Sequence, residues 1–209
     1  MKKSKTPLPK IGKYLREVSV VVLGVAITLS VSIWISNKNE KRDLNLYLNA
    51  IKIELEENIK SIDEQMVFFE KQVEYANYLK LNGKKLLNLD TIVSKYGDNI
   101  WLIENPTCNR YAFEMFKTSG IMRLVNDKEL LLNIWKAYTS LEGLEGNLSE
   151  GFKWKIEEIK QEMLDALQEK DFDTMPMYNF YSTPWPKNML QDCQRVSELL
   201  KETVLKLEK

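Results

Sequence analysis

The sequence predicts an all-α protein, in which one N-terminal transmembrane helix continues into a long helix that packs in an antiparallel helical bundle. Three observations predict it. Residues 18–36 carry no charge and no proline. Neither glycine nor proline interrupts the chain from Val25 to Asn82. Further on, apolar residues recur at helical spacing, and no segment shows the two-residue alternation of a half-buried strand.

The apolar stretch reads VSVVVLGVAITLSVSIWIS from Val18 to Ser36. Nineteen residues at about 1.5 Å each span about 28 Å, close to the hydrocarbon thickness of a bilayer. Its serines and its threonine can bond back to the helix's own carbonyls. Tyr14 and Trp34 stand near the two ends, where aromatics with a polar tip favour the membrane interface. A cleaved signal peptide fits less well, because the apolar run is too long and no small-x-small site follows it. A buried helix of a soluble protein is a poorer fit too, since this segment is apolar on every face.

The chain therefore divides into a basic leader (1–17), a transmembrane helix (18–36) and a helical domain (37–209). Lys2, Lys3, Lys5, Lys10, Lys13 and Arg16 precede the span against Glu17 alone, whereas Lys38, Lys41 and Arg42 follow it mixed with Glu40 and Asp43. The positive-inside rule then places the N-terminus in the cytoplasm and the domain outside. In a Gram-negative cell this means an inner-membrane protein with a periplasmic domain. Formal net charge is zero, so the part after the leader is acidic overall. That argues against nucleic acid as a partner, for which a dense basic patch is needed.

After the span, apolar residues recur at Leu44, Leu48, Ile51, Leu55, Ile59, Ile62, Met66, Phe69, Val73 and Ala76. The mean step is close to the 3.6 residues of an α-helical turn. Asn82-Gly83 supplies the stop. An unbroken helix over 11–82 would be on the order of 100 Å long. The stripe suits either a homo-oligomeric coiled coil or one face of an intramolecular bundle. Phe68, Phe69, Tyr75 and Tyr78 favour the bundle, whose holes are larger. A short helix is expected at 84–96, ended by Gly97, and another from Asn105-Pro106-Thr107 to Gly120. Asn126 with Glu129 resembles a capping box for a helix through Leu130, Ile134, Tyr138 and Leu141. Gly143, Gly146 and Gly151 predict a break before a further helix over 152–169. Pro176, Pro184 and Pro186 forbid a helix over 171–186, and a last helix is expected over 187–208.

Residues Lys13-Tyr14-Leu15-Arg16-Glu17, the span, and the exit Ile35-Ser36-Asn37-Lys38-Asn39-Glu40-Lys41-Arg42 resemble a family of uncharacterised single-pass membrane proteins common in Bacteroidetes. Phe116 to Asp127, with Ser119-Gly120 before a short apolar stretch, resembles a second segment of that family. The likeness covers the first ~80 residues and roughly 105–140. Its motifs are structural. It implies a location and a shape, not an activity.

The chain has no histidine, which removes the commonest general base and the commonest zinc ligand. No catalytic, cofactor-binding or metal site is expected. Paired carboxylates (Glu54 and Glu57 with Asn58; Glu157 with Glu158) are read as solvated helix faces. Asp171 and Asp173 are read as an ordinary turn rather than a calcium site. Cys108 and Cys193 lie too far apart for a CxxC motif, and admit either a disulfide or two buried thiols. The segment with Phe172, Met175, Met177, Tyr178, Phe180, Tyr181 and Trp185 is either a strap filling the open end of the bundle or an interaction patch. The expectation is a non-enzymatic envelope protein that scaffolds, senses or assembles, with the bilayer and a protein partner or second copy as its contacts. The alternative is a carboxylate-dependent hydrolase or a lipid- or glycan-handling enzyme.

Overall fold

The structure, a computed structural model, describes residues 11–85, 89–101, 108–169, 175 and 177–208. Among these it is helical throughout, with no strand. Helix α1 (Ile11–Asn82) is followed by α2 (Leu89–Trp101), α3 (Tyr111–Thr118), a 3₁₀ turn (Ile121–Leu124), α4 (Lys128–Glu169), the single turn α5 (Tyr178–Tyr181) and α6 (Trp185–Leu207). As the absence of breakers predicts, α1 is one helix of 72 residues. Gly83 adopts a left-handed conformation (φ 75°) and donates its N–H to the Leu79 carbonyl, which ends the helix. The residues of the chain fall into two compact units, Met1–Leu46 and Tyr47–Lys209.

In the first unit, the α1 side chains from Val20 to Ile35 that are large and apolar are each between 49% and 65% exposed. Thr28 and Ser30 donate to the carbonyls of Gly24 and Ala26, one turn back, so their hydroxyls are satisfied within the helix.

The second unit is an up-down-up-down bundle. The α1 segment runs against α6: Lys52 pairs with Glu208, Asp63 accepts from Ser197, and Phe69 meets Trp185. It also runs against α3, where Asn58 faces Asn109 and Tyr47 faces Phe116. Helix α4 opposes both partners in turn, through Phe113 stacked on Tyr138 and through Glu129 bonded to Lys206. Helices α2 and α3 together thus supply the second, descending column.

The buried seam differs from the apolar stripe that the sequence suggests. On α1 the buried positions are Ile51, Glu54, Leu55, Asn58, Ile62, Gln65, Phe69, Gln72, Tyr75, Ala76 and Leu79; apart from Glu54 and Tyr75, which widen the buried face near its two ends, steps of four and three alternate. The mean is 3.5, the period of helices that coil around one another. Ile59, Met66 and Val73 are only partly buried and flank it. The same alternation runs along α4 through Ile134, Ala137, Leu141, Leu144, Leu148, Gly151 and Lys155.

Other boundaries also shift. Helix α2 passes through Gly97, and α3 begins after residues 105–107, which lie outside the described set. The cap of α4 is Asp127, not Asn126: its carboxylate accepts the N–H groups of Glu129 and Leu130. Between Pro176 and Pro184 the chain fits one helical turn, and α6 starts two residues early because Pro186 is tolerated in its first turn.

The expected break in α4 is absent, and the helix runs for 42 residues through three glycines. Packing outweighs propensity here. A Cβ at Gly151 would stand 1.9 Å from Cζ2 of Trp185, so the indole lies directly on the glycine backbone. Around Gly143 and Gly146 a Cβ would meet nothing within 4 Å. Gly143→Ala and Gly146→Ala should therefore each stabilise the domain by about 0.5–1 kcal/mol. Gly151→Ala should destabilise it by about 1–3 kcal/mol by displacing Trp185. Urea unfolding of the three variants measures this; equal effects at all three glycines would contradict the packing account.

Candidate functional site

Two buried polar centres stand out in the second unit. The first is built on α1. Glu54 is 7% and Asn58 1% exposed, so the reading of this pair as a solvated face is wrong. The Glu54 carboxylate accepts the N–H groups of Ala112 and Phe113 at 2.7 and 3.3 Å, and the hydroxyl of Tyr138. Asn58 exchanges two hydrogen bonds with the backbone of Asn109, donating to its carbonyl at 2.8 Å and accepting its N–H at 2.7 Å. These side chains satisfy donors at the start of α3 that no helical carbonyl can reach. Glu57, by contrast, is exposed, as are Glu157 and one face of α4 beyond it. Asp171 and Asp173 lie outside the described residues.

From α4, Glu145 completes the clasp, accepting the Cys108 N–H at 3.1 Å and pairing with the Arg110 guanidinium. Burial and the Glu54 hydrogen bond push the Tyr138 hydroxyl far above its usual range, so it stays protonated and donates.

The second centre is the far end of the bundle. Met175, Met177, Phe180 and Tyr181 are fully buried, and pack with Tyr75, Ala76, Leu79, Ile92, Tyr96 and Ile100. Tyr178 and Trp185 are partly buried against them, and Phe172 lies outside the described residues. This segment therefore turns its rings inward, and the four buried members do not form a surface patch. Ring contacts of 5.1–5.8 Å link Phe69, Trp185, Phe180, Tyr181, Tyr75 and Tyr96 in an unbroken series. Each such pair contributes about 0.5–1.5 kcal/mol beyond its buried area.

Within this aromatic interior sits Lys155, 3% exposed. Its ammonium donates to the Tyr181 hydroxyl at 2.8 Å and lies 5.2 and 5.7 Å from the ring centres of Tyr181 and Phe180. The Tyr181 hydroxyl in turn donates to the Ile100 carbonyl at 3.1 Å. Burial lowers the Lys155 pKa to about 7. Two turns on, Glu162 accepts the Met177 N–H at 2.7 Å; burial raises its pKa, and the backbone N–H groups of 177–179 hold it back. That bond accompanies the left-handed conformation of Met177 (φ 54°), uncommon for a side chain with a Cβ.

Sequence reasoning missed Lys155, Glu54 and Asn58 because polar residues are read as outward-facing. The signal that could have found Asn58 and Lys155 is the seven-residue spacing, on which Asn58 falls between Leu55 and Ile62 and Lys155 follows Leu148; Glu54 lies beside that seam and gave no such signal. A neutral amine is a potential nucleophile, but Lys155 is buried against Phe180 and Tyr181 of α5. No group of His, Cys, Asp and Glu able to hold a metal ion occurs among the described residues.

One helix is long and apolar enough to cross a membrane, with a mean hydropathy of 2.2 in its most apolar window and none of that window buried. No protein-family model, curated protein or solved structure matches the chain.

Lys155 makes stability depend on pH with a definite sign. The unfolded side chain titrates near 10.4 and the folded one near 7, so between these values the unfolded chain holds more protons. Stability should rise from about pH 7 upward, and the Lys155 contribution should be flat below. Above about pH 9 the raised thiol pKa values of Cys108 and Cys193 act with the opposite sign. Urea unfolding in detergent at pH 7, 8 and 9 should show a gain of up to about 1.4 kcal/mol per pH unit. Lys155→Met should abolish that slope and be the more stable protein at pH 7. An unchanged slope in the variant would show that Lys155 is not the group responsible.

Proposed function

We propose that this chain is a single-pass membrane protein whose helical domain works by binding rather than by catalysis, as a scaffold, sensor or assembly factor. The observation that carries the reading is the fully unburied apolar helix at 19–36. A core helix of a soluble protein of this hydropathy would be mostly buried, and this window is not buried at all. Left in water, so many exposed valines, leucines and isoleucines would be strongly unfavourable, at about 25 cal/mol for each Å² of apolar surface. Lys38, 5.7 Å from the Trp34 ring, supplies the cationic and aromatic pair expected at an interface.

The charge asymmetry supports an inner-membrane location with the N-terminus in the cytoplasm and the domain outside. The resemblance to the Bacteroidetes family points the same way. Neither buried polar centre supports the carboxylate-dependent enzyme: both Glu54 oxygens are occupied by Ala112, Phe113 and Tyr138, in a structural role.

The anchor is tested by placing a charge at mid-span. The wild-type protein should remain in the membrane pellet after alkaline carbonate extraction. Leu23→Arg with Ile27→Arg, at a cost of about 2.5–3.5 kcal/mol per arginine, should release it. Protease added to intact spheroplasts should digest residues beyond about 45. Carbonate release of the wild type would overturn the anchor, and protection of the domain would reverse the orientation.

A further inference from the structure

We propose that Cys108 and Cys193 form a disulfide that ties α6 to the segment leading into α3. The two residues approach the same turn of α4 from different columns of the bundle. The Cys108 N–H is bonded to Glu145 at 3.1 Å. Asn147, two residues on, reaches Asp192, the neighbour of Cys193, at 3.5 Å. Arg110 also pairs with Glu145, and Asn109 is held by Asn58, so the chain on the other side of Cys108 is fixed as well. Cys193 is fully buried on the inner face of α6, between Met189 and Val196. The thiols are close enough to interact electrostatically: Cys193 is among the groups that raise the Cys108 pKa.

Both are free thiols in the structure. Oxidation would break two S–H bonds and form one S–S bond. Two protons and two electrons would pass to a disulfide donor, such as oxidised glutathione or a thiol–disulfide oxidoreductase, which leaves as a dithiol or a thiol pair. Burial pushes both thiols up to about 12, so little thiolate exists in the folded protein. The bond therefore forms while the chain folds, before α6 closes over Cys193. It closes a loop of more than eighty residues, where the stabilisation expected from restricting the unfolded chain is large. Whether cells contain the oxidised form depends on the extracytoplasmic placement proposed above; the ability of the pair to bridge does not.

The test has two arms on the full chain in detergent. Protein unfolded, reduced and then refolded with a mixture of oxidised and reduced glutathione should lose two hydrogens in mass, resist alkylation when unfolded without reductant, and melt about 10 °C above the reduced form. Cys108→Ser and Cys193→Ser should each fold and show no such rise. Persistence of two alkylatable thiols, or only mixed disulfides with glutathione, would overturn the proposal. In the second arm, membranes are quenched with acid and alkylated directly. A bridged pair here supports the proposal in cells. Reduced thiols here, with bridging in the first arm, would contradict the extracytoplasmic placement and leave the site intact.

Discussion

The bundle is organised around polar groups buried on the α1 seam. At the start of α3 several backbone N–H groups face the interior with no helical carbonyl to receive them. Leaving one such donor unsatisfied costs about 1–3 kcal/mol. Glu54 receives two of them, and Asn58 reproduces a pair of backbone hydrogen bonds with Asn109. Because Glu54 also takes the Tyr138 hydroxyl, one carboxylate sets α1, α3 and α4 in register. An apolar seam alone would tolerate sliding by a heptad. A carboxylate with three particular donors does not, which is the role best attested for buried polar residues in coiled helices.

The opposite end is built on other physics. There, register comes from shape: the Trp185 indole on Gly151, and rings from α1, α2, α5 and α6 that meet edge to face or tilted. Lys155 is the exception within it, an amine enclosed by rings and a tyrosine hydroxyl. Burying it opposes folding at neutral pH, whereas the Glu54 clasp favours it. The two centres therefore differ in sign as well as in place.

This contrast explains what was legible in the sequence. The helix over 11–82 was legible because it depends on the absence of breakers, a local property. So was the all-α character of the rest, which follows from periodic segments separated by glycine and proline. The seam itself was misread at Ile59, Met66 and Val73. Following apolar residues yields a 3.6-residue stripe, while the packed helices keep to 3.5 and accept Asn58, Gln65 and Gln72 in the interior. The continuity of α4 was hidden for a related reason: Gly151 looks like a breaker until Trp185, thirty-four residues away, is seen to need the space. The aromatic content of 175–185 was plain, but its direction depends on which helices lie behind it.

The central claim is that Glu54 couples α1 to α4 through Tyr138. It is tested most directly by a double-mutant cycle with Glu54→Gln, Tyr138→Phe and the pair, with stability followed by urea unfolding in detergent. The account predicts a coupling of about 1.5–3 kcal/mol, with the double variant less destabilised than the two singles added together. A coupling below about 0.5 kcal/mol, with the singles simply additive, would contradict it.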